Sequence, residues 1–370
     1  MVLSHGHFIV VALIVVSSAC GGESPTSPGG TGSAPPPSGT GSPPPPGGAT
    51  TLYVSPSGDD GAAGTMDAPW RTLRYAVAQL RPGDTLYLQG GTYAGSAQVI
   101  DSTRGLVPRG TSWSNAITIA GQPGASVIIE PQADLNGIRL TAGAPSYLIF
   151  QDFVIDMVNS TGRGTEPDGI YLSDGAHHNR FQRLEVRNAA NFGIAFSKNN
   201  GNSGFNEVLN SKVHNSGNGR GDPRNGHGLY ISTSDNLIEG NEVYDNAGYG
   251  LHLYDDAGDR SVSRNVVRRN TIYNNGGGRG ATYGMVVAWG DGNVVTDNTI
   301  YGNPGGVFVY VNSSNAVIEG NTIHSNVPRE GILVASATGT VVRNNAVFGN
   351  GLGIIDDGIG TRLSGNRNGP

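Results

Sequence analysis

His227 and Tyr230 stand three residues apart in Asn225-Gly-His-Gly-Leu-Tyr, and the alternation of this segment turns both outward from one short strand. An imidazole beside a phenol can take a proton and return one. The same pattern gathers more groups on that side. Asp168, His227 and Tyr249 each precede a glycine, Tyr171, Tyr230 and His252 follow one by two positions, and Tyr254 follows by four, with Arg139 one repeat earlier. Lys198, one of two lysines in the chain with Lys212, lies five residues past Gly193, and Arg220 and Arg224 occupy the loop before His227. Removing a proton next to a carboxylate requires a base, a donor for the leaving oxygen and a cation against the carboxylate. Arg139, Lys198, Arg220, Arg224, His227 and His252 together suit carboxylated sugars. Tyr171, Tyr230, Tyr249, Tyr254 and Trp289 suit contact with pyranose rings.

What positions these residues is a repeated tetrad, Gly-hydrophobic-x-hydrophobic. Its copies begin at Gly137, Gly169, Gly193, Gly228, Gly250, Gly284, Gly306, Gly331 and Gly353, between 22 and 35 residues apart. Such a period signals a solenoid, in which each repeat buries its apolar face against its neighbours. Within a repeat the alternation puts pairs such as Ile170/Leu172, Leu229/Ile231 and Leu251/Leu253 inside. A second apolar pulse follows (Leu237-Ile238, Val294-Val295), then a third of the form Asn-x-Val/Ile (Asn241 to Val243, Asn270 to Ile272). Three strands in about 22 residues leave no room for a helix, which predicts an all-β fold, a parallel β-helix of about nine to ten coils. Asn241, Asn270, Asn298, Asn321 and Asn345 form one stacked column, and Asn246, Asn275, Asn303, Asn326 and Asn350 a second. Tyr244, Tyr273, Tyr301, His324 and Phe348 form an aromatic column beside them, which makes His324 a structural residue. Loops inserted at about 157–168, 215–227 and 274–283 leave one corner on alternate coils, and loops near 198–204 and 255–261 leave the opposite side. Together they are expected to wall a groove over the tetrad strands.

The chain divides into four parts. Residues 1–20 read as a lipoprotein-type signal, with an apolar run over 8–19 followed by Cys20, the single cysteine and the expected lipidation site. Residues 21–50 are rich in Gly, Pro, Ser and Thr and cannot build a core. Residues 51–112 hold an N-terminal cap and first coil, in which Trp70, Leu73, Val77 and Leu80 at helical spacing predict a capping helix. Residues 113–370 carry the repeats.

The segment YVSPSGDDG…APWRTLRYAVAQLRPGDTLYLQGGTY resembles the N-terminal region of secreted right-handed parallel β-helix proteins, among them polysaccharide lyases of the pectate lyase-like superfamily. The repeats are similar to those of such lyases, of alginate C5-epimerases and of periplasmic carbohydrate-binding proteins, over about residues 51–365. The resemblance implies a right-handed helix and, for lyases that use a His/Tyr pair, His227 as base and Tyr230 as acid with Arg224 against the carboxylate. Lys198 is the rival base, because other β-helix lyases use Lys or Arg. Calcium is the metal the resemblance implies, and Asp255, Asp256 and Asp259 are the candidate carboxylates.

The net charge of −6, from 23 basic and 29 acidic residues, supplies no global field for nucleic acid. The expected partners are an acidic polysaccharide or oligosaccharide and, through Cys20, a membrane, in a bacterial cell envelope or extracellular setting. The reaction expected is that of a lyase or C5-epimerase. A non-catalytic glycan-binding β-helix is the alternative. A glycoside hydrolase ranks below both, since it needs paired groove carboxylates and only Asp168 with Asp255 or Asp256 offers them.

Overall fold

The computed structural model describes residues 48–160, 167–199, 201, 203–217, 225–255, 261–277 and 282–369. Cys20, the signal segment and most of the Gly/Pro-rich segment lie outside them, as do Arg220, Arg224, Asp256 and Asp259. Every strand pairs in parallel with its counterpart in the next coil, and the pairings collect into three sheets of twelve, ten and ten strands. This is a right-handed parallel β-helix.

The tetrads form one ten-stranded sheet, from Ile100–Asp101 through Leu229–Ile231 and Leu251–Leu253 to Leu352–Ile359. Its inward residues behave as the alternation predicts. Ile170, Leu172, Leu229, Ile231, Leu251 and Leu253 are all fully buried in one continuous core. Register stacks the outward residues into a single row, Arg139–Tyr171–Ala195–Tyr230–His252–Val286–Phe308–Leu333–Ile355. The second apolar pulse builds the twelve-stranded sheet and the Asn-x-Val/Ile segments build the third.

The glycine that opens each tetrad has a steric cause. A Cβ on Gly228 would lie 2.5 Å from Val243 Cγ1 and 2.6 Å from the Gly250 carbonyl oxygen. No larger residue fits where one coil's backbone crosses so close to the next.

Both asparagine columns form. In the first, the Asn270 side-chain oxygen accepts from the Asn241 backbone N–H and from its Nδ2, each at 2.9 Å, and the motif repeats from coil to coil as far as Asn366. Each side chain thus supplies the partners that buried backbone groups at a strand corner need. A third column, Asn179–Asn206–Asn236–Asn265–Asn293, follows the same rule before the twelve-stranded sheet. Its signal in the sequence is the Asn that precedes Leu237-Ile238, Val266-Val267 and Val294-Val295. The aromatic column stacks Tyr244, Tyr273, Tyr301, His324 and Phe348 with centroids 5.0 to 5.2 Å apart, and His214 extends it at 4.6 Å from Tyr244.

The expected helix spans Leu73–Ala78, with the Thr72 hydroxyl accepting from the Tyr75 N–H at its start. Leu73, Ala76 and Val77 bury against the first strands.

Candidate functional site

The outward row of the tetrad sheet and the positions just before each glycine converge on a cavity of about 580 Å³. His227, Tyr230, Tyr249, His252 and Tyr254 line it together, as the spacing predicts, and Phe192, Asn225, Val286, Phe308 and Tyr310 complete the lining. Phe192 stacks on Tyr230 at 4.7 Å and on His227 at 5.3 Å. Tyr254 stacks on His252 at 4.7 Å.

The two histidines are not the exposed groups that alternation suggests. They lie on the outer face of the sheet, yet their side chains sit under a second layer of rings, and His227 keeps 4% of its surface and His252 9%. Burial pushes His227 down to about 3 and drives His252 well below its ordinary range, with the neighbouring His227 adding to the shift. Both are neutral through the physiological range. Their tautomers follow from the hydrogen bonds. The Tyr249 backbone N–H donates to His227 Nδ1 at 3.0 Å, so the His227 proton sits on Nε2. That Nε2–H faces His252 Nδ1 at 3.2 Å, which leaves the His252 proton on its own Nε2. Each lone pair of the dyad that could take a proton therefore already accepts one bond or lies against the partner ring.

Lys198 and Asp255 form an ion pair at the ends of two strands of the same sheet, Ile194–Phe196 and Leu251–Leu253. The Ser261 hydroxyl donates to the same Asp255 oxygen at 2.7 Å. Lys198 and Asp255 do not line the cavity; they flank it, Asp255 following Tyr254 directly.

The remaining expected residues are spread along the sheet. Arg139 is exposed, with its guanidinium 5.8 Å from the Tyr171 ring, and the Tyr171 hydroxyl accepts from Asn199 at 3.1 Å. Asp168 is buried and accepts from Asn191 Nδ2 and the Phe192 N–H, each at 2.9 Å, which fixes the Phe192 ring at the cavity wall. Trp289 packs against an apolar cluster on the outer face formed by Tyr283, Val286 and Ala288. In that cluster the Tyr283 hydroxyl donates to Glu330 at 2.6 Å, and burial pushes it up to about 12.

Residues 52–226 match the family described as Pel9A-like, right handed beta helix region, and residues 202–368 match the right handed beta helix region. Together the two matches tile the folded part of the chain. Both matches are to right-handed β-helix regions, and the chain is similar to the pectate lyase-like β-helix proteins. Pectate lyase PEL9 of Emericella nidulans is 29% identical over 221 residues, which cover 56% of this chain and 50% of that protein. The crystal structure of pectate lyase Pel9A superposes with a TM-score of 0.57 at 19% identity, over 84% of this chain and 78% of that one. An alginate lyase from Paenibacillus sp. superposes with a TM-score of 0.55 at 18% identity, over 84% and 99%. These superpositions establish the shared fold. The chain spans about half the length of the curated relatives with pectate lyase names.

Of the candidate carboxylates for the expected calcium, Asp256 and Asp259 lie outside the described residues. Asp255 alone of the three candidate carboxylates is described, and one of its oxygens is taken by Lys198 and Ser261. Among the described residues no group of three or more His, Cys, Asp or Glu could hold a metal ion.

Phe192, Asn225, Val286, Phe308 and Tyr310 are lining residues that the sequence does not mark as site residues. Phe192 was available to it, since it precedes Gly193 as His227 precedes Gly228. Phe308 and Tyr310 occupy the same strand positions as His252 and Tyr254, two coils on, but their apolar type reads as core.

Proposed function

We propose that this protein is a carbohydrate-active β-helix that acts on an acidic polysaccharide by proton abstraction at C5, as a lyase or a C5-epimerase. One observation carries the reading: an aromatic cavity on the outer face of the tetrad sheet, flanked by the buried-side ion pair of Lys198 and Asp255. The pectate lyase names of the curated relatives support the substrate class.

In this reading Lys198 is the base and Tyr230 the acid. The Lys198 amine takes the C5 proton, the electron pair forms the double bond, and the Tyr230 hydroxyl protonates the departing glycosidic oxygen. In an epimerase the proton returns instead from the opposite face. His227 is a positioning residue, because its ring packs between Phe192 and Tyr249 and holds Tyr230 in line. Arg224 keeps the carboxylate-neutralising role that the resemblance implies, and Arg220 binds substrate beside it. Arg139 and Tyr171 extend the binding surface one coil beyond the cavity. Lipidation at Cys20 would tether the protein to the bacterial envelope, and labelling with a radiolabelled fatty acid, absent in Cys20→Ala, tests that.

The test is absorbance at the unsaturated-uronate band during incubation with pectate, alginate, hyaluronan and chondroitin, with and without calcium. A rise on one polymer that is abolished in Lys198→Ala and survives in His227→Gln is the expected result. Proton exchange at C5 without a rise identifies an epimerase. A second reading, a non-catalytic glycan binder, draws on the neutral buried histidines and the paired Lys198. Binding with neither product nor exchange would establish it.

A further inference from the structure

At the turn from the tetrad sheet into the twelve-stranded sheet, one position is left-handed on every coil from Tyr147 to Gly360. Later coils fill it mostly with types that tolerate that backbone, such as Asp235, Gly292, Asn315 and Gly339. Three successive coils place Tyr147, His178 and Phe205 there, at φ of 54°, 54° and 58°. Bulky side chains are disfavoured in this region, so local backbone preference does not explain them. Their rings stack in one row, Tyr147 on His178 and His178 on Phe205, each at 4.9 Å. The row stops at Phe205, which is 46% exposed. One face of Phe205 lies on His178, and the next position in the row is Asp235, held by Arg264 through two bonds of 2.7 Å. A second element adds to the row: Trp113, in the short turn Trp113–Asn115, meets Tyr147 edge-on at 5.6 Å. The Arg180 guanidinium lies 4.5 Å over the Trp113 ring, and its Nε donates to Glu207 at 2.6 Å. The exposed Arg109 acts electrostatically on His177, whose Nδ1 lies 2.7 Å from that of His178. None of these residues lines the cavity. They stand where the tetrad strands end, whereas His227 and Tyr249 stand where those strands begin.

We propose that the row Tyr147–His178–Phe205 with Trp113 is a second glycan-binding surface, which holds a stretch of acidic polysaccharide away from the reacting residue. A pyranose ring continues the stack on the open side of Phe205, as a fourth ring of the row. Three guanidinium groups border the rings, Arg109, Arg180 and Arg264, against the two carboxylates Glu207 and Asp235, so the surface favours an anionic chain. The proposal rests on the reading of the protein as acting on an acidic glycan and adds a dependence on chain length. From Phe192 at the cavity wall to Phe196 the strand alone runs about 13 Å, at about 3.3 Å per residue, and the turn to Phe205 follows. A disaccharide therefore reaches one surface at a time. A polymer held on the ring row keeps its own segments near the cavity and raises their effective concentration there.

The experiment is affinity electrophoresis of the full chain in gels containing pectate, alginate, hyaluronan or chondroitin, with product absorbance and C5 proton exchange followed in parallel. The expected result is that at least one polymer retards the wild type. Phe205→Ala and Trp113→Ala, each checked for an unchanged β-sheet circular dichroism spectrum, should weaken that polymer's binding at least fivefold. Phe205→Tyr, which keeps the ring, should stay within twofold of the wild type. On a polymer that is turned over, Phe205→Ala should raise KM by the same factor and leave kcat within twofold. Both alanine variants retarded like the wild type, or no polymer retarding the wild type, overturns the proposal. So does a dimer seen by sedimentation that Phe205→Ala dissolves, which would assign this face to a second copy of the chain. Product on a polymer whose binding the variants leave unchanged keeps the lyase reading without this surface. Retardation lost in Phe205→Ala with neither product nor exchange in the wild type keeps the surface and removes the lyase and epimerase reading.

Discussion

His227 and His252 face each other through Nε2 and Nδ1 at 3.2 Å, with the Tyr249 amide closing the far side of His227 at 3.0 Å. Two rings that sequence alternation places on an outer face thus form a buried, uncharged pair. The consequences are measurable in stability and in the pH dependence of any activity.

Acid should unfold the protein through this pair. The native His227 titrates at about 3 against an ordinary 6.5, so between those values the unfolded chain binds the extra proton. Stability contributed by the neutral ring is fully present above about 6.5 and is lost as pH falls toward about 3, with a limiting slope of roughly 1.4 kcal/mol per pH unit for each such histidine. Urea melts from pH 8 to pH 4 should show this loss, and His252→Gln should make the curve shallower. A stability flat over that range would remove the pair as its cause.

The pH profile of catalysis separates the two bases. His227 is neutral throughout the range above about 4, so as base it would give a rate that does not change between pH 5 and pH 8. Lys198 must shed its proton first, so as base it gives a rate that climbs with pH. Initial rates in buffers of constant ionic strength decide this, and a flat profile in the wild type would sink the lysine assignment.

Lys198→Met should cost stability as well as activity. It leaves the Asp255 carboxylate, whose side chain is 7% exposed, without its ammonium, a loss on the order of 2–4 kcal/mol. The double variant Lys198→Met/Asp255→Asn should recover most of the stability and none of the activity. Thermal melts of the single and double variants measure the coupling.

The asparagine column predicts a sharp loss at its centre. Asn270 accepts two bonds from Asn241 and donates to the Ile238 carbonyl and to Asn298. Asn270→Ala orphans buried groups on both sides and should destabilise the helix by roughly 3 kcal/mol or more. His324→Ala, in the half-buried aromatic column between Tyr301 and Phe348, should cost well under half of that. Chemical denaturation of the two variants side by side provides the comparison.

The repeat was legible because a solenoid writes its contacts into a period. Gly228, Leu229 and Ile231 meet Gly250, Leu251 and Leu253 one coil on, so the sequence alone determined the alternating strands, the inward residues, two asparagine columns and the aromatic column. It also brought His227, Tyr230, Tyr249, His252 and Tyr254 to one place. What it could not determine was their exposure. Whether an outward side chain meets water depends on the rings one and two coils away and on how far each reaches over its neighbour. His252 is buried because Tyr249 and Tyr254 lie against it, 4.7 Å away on either side, while Arg139 on the same row is exposed. The pairing of Lys198 with Asp255 joins residues 57 apart in the chain, and no period specifies it. Tertiary structure alone decided burial and charge pairing, because both are set by distances across coils between side chains whose lengths the repeat leaves free.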